Sequence, residues 1–192
     1  MKRLVEMGNK KKKEKRKKKL KFLKKLIDCG IFLLIVLTVT FILNEYVIER
    51  TQVHNHSMEP TLSEGDVLLT DKLTYKRRDP KRYEIVIFKN ETDGEDLIKR
   101  VIGLPGETVR IVQGKIYIDG ENIEDIEGLD KPFDAGSAAE DFKLGEDEYF
   151  VLGDNREVSI DSRVPSVGAV SAENIIGKAL IRIKPLSKFR IK

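Results

Sequence analysis

The sequence predicts an all-β domain, a partly open barrel or packed antiparallel sheets, preceded by one N-terminal transmembrane helix. Three observations carry this. One long apolar run stands near the start, directly behind a block of lysines. Beyond residue 49 the apolar residues fall in short Val-, Ile- and Leu-rich stretches with no sustained helical period. Turn residues separate these stretches at intervals suited to a small β-architecture.

Residues 1–25 form the first region. They hold fourteen Lys or Arg and two acids, Glu6 and Glu14. The rest of the chain keeps 22 of the 36 basic and 30 of the 32 acidic residues, a formal charge of about −8. The overall +4 therefore belongs to the tail. A nucleic-acid-binding domain carries its own basic face, so no nucleic-acid partner is expected.

Residues 26–48 are expected to be the anchor. Leu26 to Leu43 contains one charge, Asp28. Eighteen helical residues span about 27 Å, close to the ~30 Å of a bilayer core. A cleaved leader needs small residues at its cut, and Leu43-Asn44-Glu45-Tyr46-Val47-Ile48-Glu49 has none. The lysines from Lys10 to Lys25 place the N-terminus in the cytoplasm and the chain from Asn44 outside, with anionic lipid headgroups as partners of the tail. The single cysteine, Cys29, excludes an internal disulfide and a cysteine zinc cluster.

Residues 49–192 are expected to be the extracytoplasmic domain. Strands are predicted over Asp66 to Leu73, Glu84 to Asn90, Asp96 to Leu104, Glu148 to Leu152 and Ile175 to Ile183. Thr108 to Ile118 reads as a hairpin turning at Gln113-Gly114. Glu121 to Glu148 carries eleven acids and two lysines. Its composition predicts a mobile surface insertion with little core of its own, remote from the chemistry.

The chemistry centres on Ser57-Met58-Glu59-Pro60-Thr61. The only histidines, His54 and His56, flank it. In an extended segment both fall on the face opposite Ser57, so neither is placed as its base. His-x-His lacks an evident third ligand, and no metal or cofactor is expected. A serine without histidine can use a neutral lysine. Lys99 lies in the apolar stretch Asp96-Leu97-Ile98-Lys99-Arg100-Val101-Ile102-Gly103, where burial would depress its pKa. Composition alone favours an ordinary strand lysine reaching solvent.

Four stretches in order resemble the blocks of the bacterial type I signal peptidases: 57–62, 65–69, 99–107 and 153–163. The resemblance implies a membrane-bound serine endopeptidase that removes signal peptides from secreted preproteins at Ala-x-Ala-like sites. It assigns Ser57 as nucleophile and Lys99 as general base, with Ser159 orienting the lysine and Asp161–Arg163 as a supporting pair. The Ser57 N–H is expected to bind the oxyanion. Some members place a serine two residues before the nucleophile as second donor; here that position is Asn55. Met58, Leu62 and Ile98 are expected to line the substrate pockets because they adjoin the dyad. Two rivals differ in class. A self-cleaving Ser-Lys repressor would need a DNA-binding module in place of the anchor. An inactive tethered β-module would not need both Ser57 and Lys99.

Overall fold

The computed structural model describes residues 2–129 and 131–185. The chain divides into two compact units, Met1–Glu45 and Tyr46–Lys192.

The first unit is the helix α1, which runs over Lys2–Tyr46. Its stretch Lys18–Leu43 is long and apolar enough to cross a bilayer, and none of its most apolar window is buried. That fits a single-pass membrane anchor, whose apolar side chains, such as Phe32, Leu34 and Phe41, are exposed.

The second unit is built from antiparallel strands. In chain order these are β1 (Ile48–Gln52), β2 (Val67–Asp71), β3 (Ile85–Lys89), β4 (Asp96–Gly103), β5 (Thr108–Val112), β6 (Lys115–Ile118), β7 (Glu121–Asn122), β8 (Phe142–Lys143), β9 (Glu148–Leu152), β10 (Val170–Ser171) and β11 (Ile175–Lys184). One sheet has the order β1-β2-β11-β3-β4-β9-β10 and the other β7-β6-β5-β8. The predicted all-β architecture behind one apolar helix is therefore the observed one.

The central strands β3, β4 and β9 form from short apolar runs that are buried along most of their length, and the β5–β6 hairpin forms where buried and outward residues alternate. In the hairpin β5–β6, Val109, Ile111, Ile116 and Ile118 are buried, while Gln113 and Gly114 adopt positive φ angles of 51° and 74° at its turn. β1 lies on a sheet edge with no buried residue. Its sequence, Ile-Glu-Arg-Thr-Gln, lacks the alternation that identifies a strand, and it begins inside the stretch expected to be anchor.

The segment 121–148 differs from its composition-based expectation. It supplies β7 and β8 to the smaller sheet. Ala138 and Leu144 are buried in the core cluster around Ile102, Val109 and Phe150, and Phe142 packs edge-on against Phe150 at 5.3 Å. Averaging over eleven acids hides a few apolar side chains, each of which finds its own place in the core.

Candidate active site

Ser57 sits on a turn between β1 and β2. The turn is closed at its base, where Val53 N–H donates to the Asp66 carbonyl and Gly65 N–H to the Val53 carbonyl, each at 2.9 Å. Inside it, Leu62 N–H donates to the Met58 carbonyl at 2.8 Å. Met58 and Leu62 anchor the turn by burying their side chains beside Val53, Leu68, Ile85, Ile87 and Ile98. From β11, Arg182 pairs with Asp66 at 3.0 Å and donates to the Thr61 carbonyl. The turn that carries Ser57 is thus fastened from below by packing and by a buried ion pair.

Lys99 lies on β4, opposite Val86 of β3. Its side chain is 1% exposed. Nζ is 2.9 Å from Ser57 Oγ and donates to the Ile98 carbonyl at 3.1 Å. Burial pushes the amine down to about 8, against the opposing pull of Asp161 and Asp154. Desolvation wins because neither carboxylate touches it: Asp161 is bound to Arg163 and Asp154 to Arg100.

The third part is the loop after β9. Gly153 N–H donates to Asp161 Oδ2 at 3.0 Å. Asp161 accepts from Arg163 Nε at 2.9 Å and Nη2 at 3.0 Å, with both residues buried. Arg100 grips Asp154 with two bonds, at 2.8 and 2.6 Å. Asn155 N–H donates to the Ser57 carbonyl at 3.0 Å and ties this loop to the turn that carries Ser57. Ser159 is buried, and among the described residues its Oγ has no hydrogen-bond partner, Lys99 included. A β-carbon at Gly153 would collide with Ser159 Oγ and the Ser57 carbonyl, which is why the loop requires glycine there.

These elements border a cleft of about 670 Å³ lined by Asn55, His56, Ser57, Glu59, Leu97, Lys99, Asn155, Val158 and Ile160 among others. The residues brought together are Ser57 and Lys99, with Ser159 and the Asp161–Arg163 pair behind them. Met58, Leu62 and Ile98 do not line the cleft; they face the core. The expectation that they form substrate pockets rested on adjacency in the chain, but neighbours on a strand or turn point to opposite sides. Leu97, Val158 and Ile160 supply the apolar lining instead. Asn55 also differs from expectation: its Oδ1 accepts from Ser57 N–H at 3.1 Å and from Ser57 Oγ at 2.7 Å, so it is an acceptor here and not a donor. His56 turns away from Ser57, to Glu59 at 2.9 Å and Glu64 at 3.5 Å.

Sequence reasoning missed three contributors. Asp125 binds Arg156 through two bonds, at 2.6 and 2.9 Å, and Arg156 Nε donates to the Gly153 carbonyl at 2.8 Å. The Asp134 carbonyl accepts from Arg163 Nη1 at 3.0 Å, and Ser137 N–H donates to the Arg163 carbonyl at 2.7 Å. Arg182 is the third, in a strand whose other residues read as ordinary alternation. The acidic segment is therefore clasped to the loop after β9 that borders the cleft, and is not remote from it.

Comparison with known proteins gives the family. Residues 26–184 match the family described as signal peptidase, peptidase S26. A probable signal peptidase I-2 of Synechocystis sp. is 39% identical over 153 residues, covering 74% of this chain and 66% of that protein. A signal peptidase I of Leptolyngbya laminosa is 37% identical over 151 residues, 74% of this chain and 72% of that one. The crystal structure of a signal peptidase I from Enterococcus faecalis V583 aligns over 53% of this chain and 97% of its own, with 30% identity and a TM-score of 0.42. By the extent of the family match and the identity of these relatives, the chain belongs to the signal peptidase family, peptidase S26, and is a serine peptidase.

Proposed function

We propose that the protein is a membrane-bound endopeptidase that removes signal peptides from secreted preproteins by acyl transfer, with Ser57 as nucleophile and Lys99 as general base. The carrying observation is the 2.9 Å contact between Ser57 Oγ and a buried lysine whose pKa is about 8. A lysine near that value is partly neutral close to physiological pH, as a base must be. Neutral Lys99 takes the Ser57 proton as Oγ attacks the scissile carbonyl. The tetrahedral oxyanion is held by the Ser57 N–H. Its collapse breaks the peptide bond, and protonated Lys99 returns its proton to the leaving amine. Lys99 then deprotonates a water, which attacks the ester and releases the signal peptide with Ser57 restored.

Ser159 is the proposed orienting group for Lys99. Its buried Oγ is unengaged and adjoins the Gly153–Ser57 contact, within a loop held by Asp161 and Arg163. Selectivity for small residues before the cut, of the Ala-x-Ala kind, is assigned to the shallow apolar lining from Leu97, Val158 and Ile160. The basic tail and α1 support an orientation with residues 1–25 in the cytoplasm, against anionic lipid of the bacterial cytoplasmic membrane, and the catalytic unit outside.

The test is cleavage of a preprotein by the detergent-solubilised full chain. kcat/KM is expected to rise with pH through a midpoint near 8. Ser57→Ala and Lys99→Arg should each lose nearly all turnover, because a guanidinium stays protonated. His56→Ala should keep most of it. Near wild-type activity in Lys99→Arg would end the reading.

A further inference from the structure

We propose that Asn55 caps the nucleophile in the ligand-free enzyme, its carboxamide oxygen holding both protons that catalysis must redirect. The inference rests on the acyl-transfer reading of Ser57 and Lys99.

The Ser57 N–H and the Ser57 hydroxyl converge on one atom, Asn55 Oδ1, at 3.1 and 2.7 Å. A backbone N–H can only donate, so the carboxamide must present its oxygen and not its nitrogen to this point. With the oxygen fixed, the hydroxyl gives its proton to the same atom. Lys99 Nζ is then a donor on both its contacts, to Ser57 Oγ and to the Ile98 carbonyl. This is the reverse of what the reaction needs. For attack, the hydroxyl proton must point at the Lys99 lone pair. For oxyanion binding, the N–H must point into the cleft.

One displacement of the Asn55 side chain releases both protons. Asn55 is exposed and lines the cleft, so an entering peptide backbone meets it directly. The capped geometry also favours the charged lysine. An ammonium donates well to an oxygen whose own proton is already committed to a carbonyl, since linked hydrogen bonds reinforce one another. The titratable groups near Lys99 include Asp161 and Asp154, paired with Arg163 and Arg100, and His56, Glu59, Asp93 and Glu95 on the cleft lining. Asn55 is set apart from them because it touches the reacting oxygen itself.

Asn55→Asp and Asn55→Ala separate the cap from its alternatives. Aspartate keeps the shape and both acceptor contacts and adds a negative charge beside the ammonium. Alanine removes the acceptor. With the full chain in detergent and a peptide spanning a small-residue cleavage site, kcat and KM are measured across pH, and thermal melts confirm folding. For Asn55→Asp, the midpoint of the rising limb should move up by about one pH unit or more. Its plateau kcat should fall about tenfold or more with KM little changed, because the charged cap releases its protons less readily. For Asn55→Ala, the midpoint should move down, opposite to the shift in Asn55→Asp. Asn55→Gly serves as a second acceptor-free variant. Midpoints that coincide with wild type, or that move in the same direction in both variants, overturn the cap. A loss of about 10²-fold or more in Asn55→Ala at an unchanged midpoint overturns it too, and makes Asn55 an oxyanion donor instead. Wild-type turnover that survives Ser57→Ala sinks the acyl-transfer reading itself, a result separate from all of these.

Discussion

At the scale of single residues, the site depends on keeping a lysine where no anion touches it. The polar contacts of Lys99 among the described residues are a hydroxyl and a carbonyl, and burial lowers its pKa from 10.5 to about 8. That difference corresponds to about 3 kcal/mol of destabilisation wherever the lysine is charged in both folded and unfolded states. The penalty is full below pH 8. Between pH 8 and 10.5 the folded chain loses the proton first, so stability rises with pH and the penalty disappears. Lys99→Met, of similar length and without charge, is expected to be inactive yet more stable at pH 7. Its advantage in Tm should shrink as pH approaches 10. Melts of the solubilised chain at several pH values test this, and a gap that does not change with pH would mean that the lysine is not depressed. Gly153 shows the complementary constraint. Its missing side chain is what lets Ser159 Oγ and the Ser57 carbonyl approach the same point.

At the scale of elements, the segment 121–148 acts as a brace on the loop after β9, which carries Ser159, Asp161 and Arg163. Asp125 holds Arg156, the Asp134 carbonyl holds Arg163, and Ala138 and Leu144 enter the core. Removing Glu124 to Gly145 is expected to abolish cleavage and lower stability by several kcal/mol, since two buried arginines would lose partners and core side chains would be lost. Asp125→Ala is the milder probe. It leaves the Arg156 guanidinium, 1% exposed, with one partner fewer and is expected to lower kcat about tenfold or more with KM little changed. Preserved kcat in a folded Asp125→Ala protein would show that the brace does not position the loop.

At the scale of the whole molecule, one apolar helix fits a single-pass anchor, and the proposed orientation, with the lysine-rich start in the cytoplasm, rests on the charge rule alone. Protease added outside intact spheroplasts should digest the catalytic unit and leave a fragment containing α1. Survival of the β-unit, with loss of the lysine tail alone, would reverse the orientation.

Much of this was legible along the chain. The main strands followed from short apolar runs bounded by turn residues, and the hairpin from the alternation of Val109, Ile111, Ile116 and Ile118, because a half-buried strand imposes a period of two on its own sequence. The anchor followed from length and apolarity, because a bilayer selects both. Ser57 and Lys99 were legible as residues whose types and surroundings suit the chemistry. Their 2.9 Å contact across 42 positions was not, since it depends on the turn 53–66 folding back over β4. The tertiary structure alone decided that Met58, Leu62 and Ile98 face inward, that Asn55 presents an oxygen to Ser57, and that Asp125 and Asp134 reach the loop after β9. The division has one physical cause. Periodicity and membrane length are local constraints written into consecutive residues, whereas the direction of a side chain and the partner of a buried charge are set by packing between segments distant in the chain.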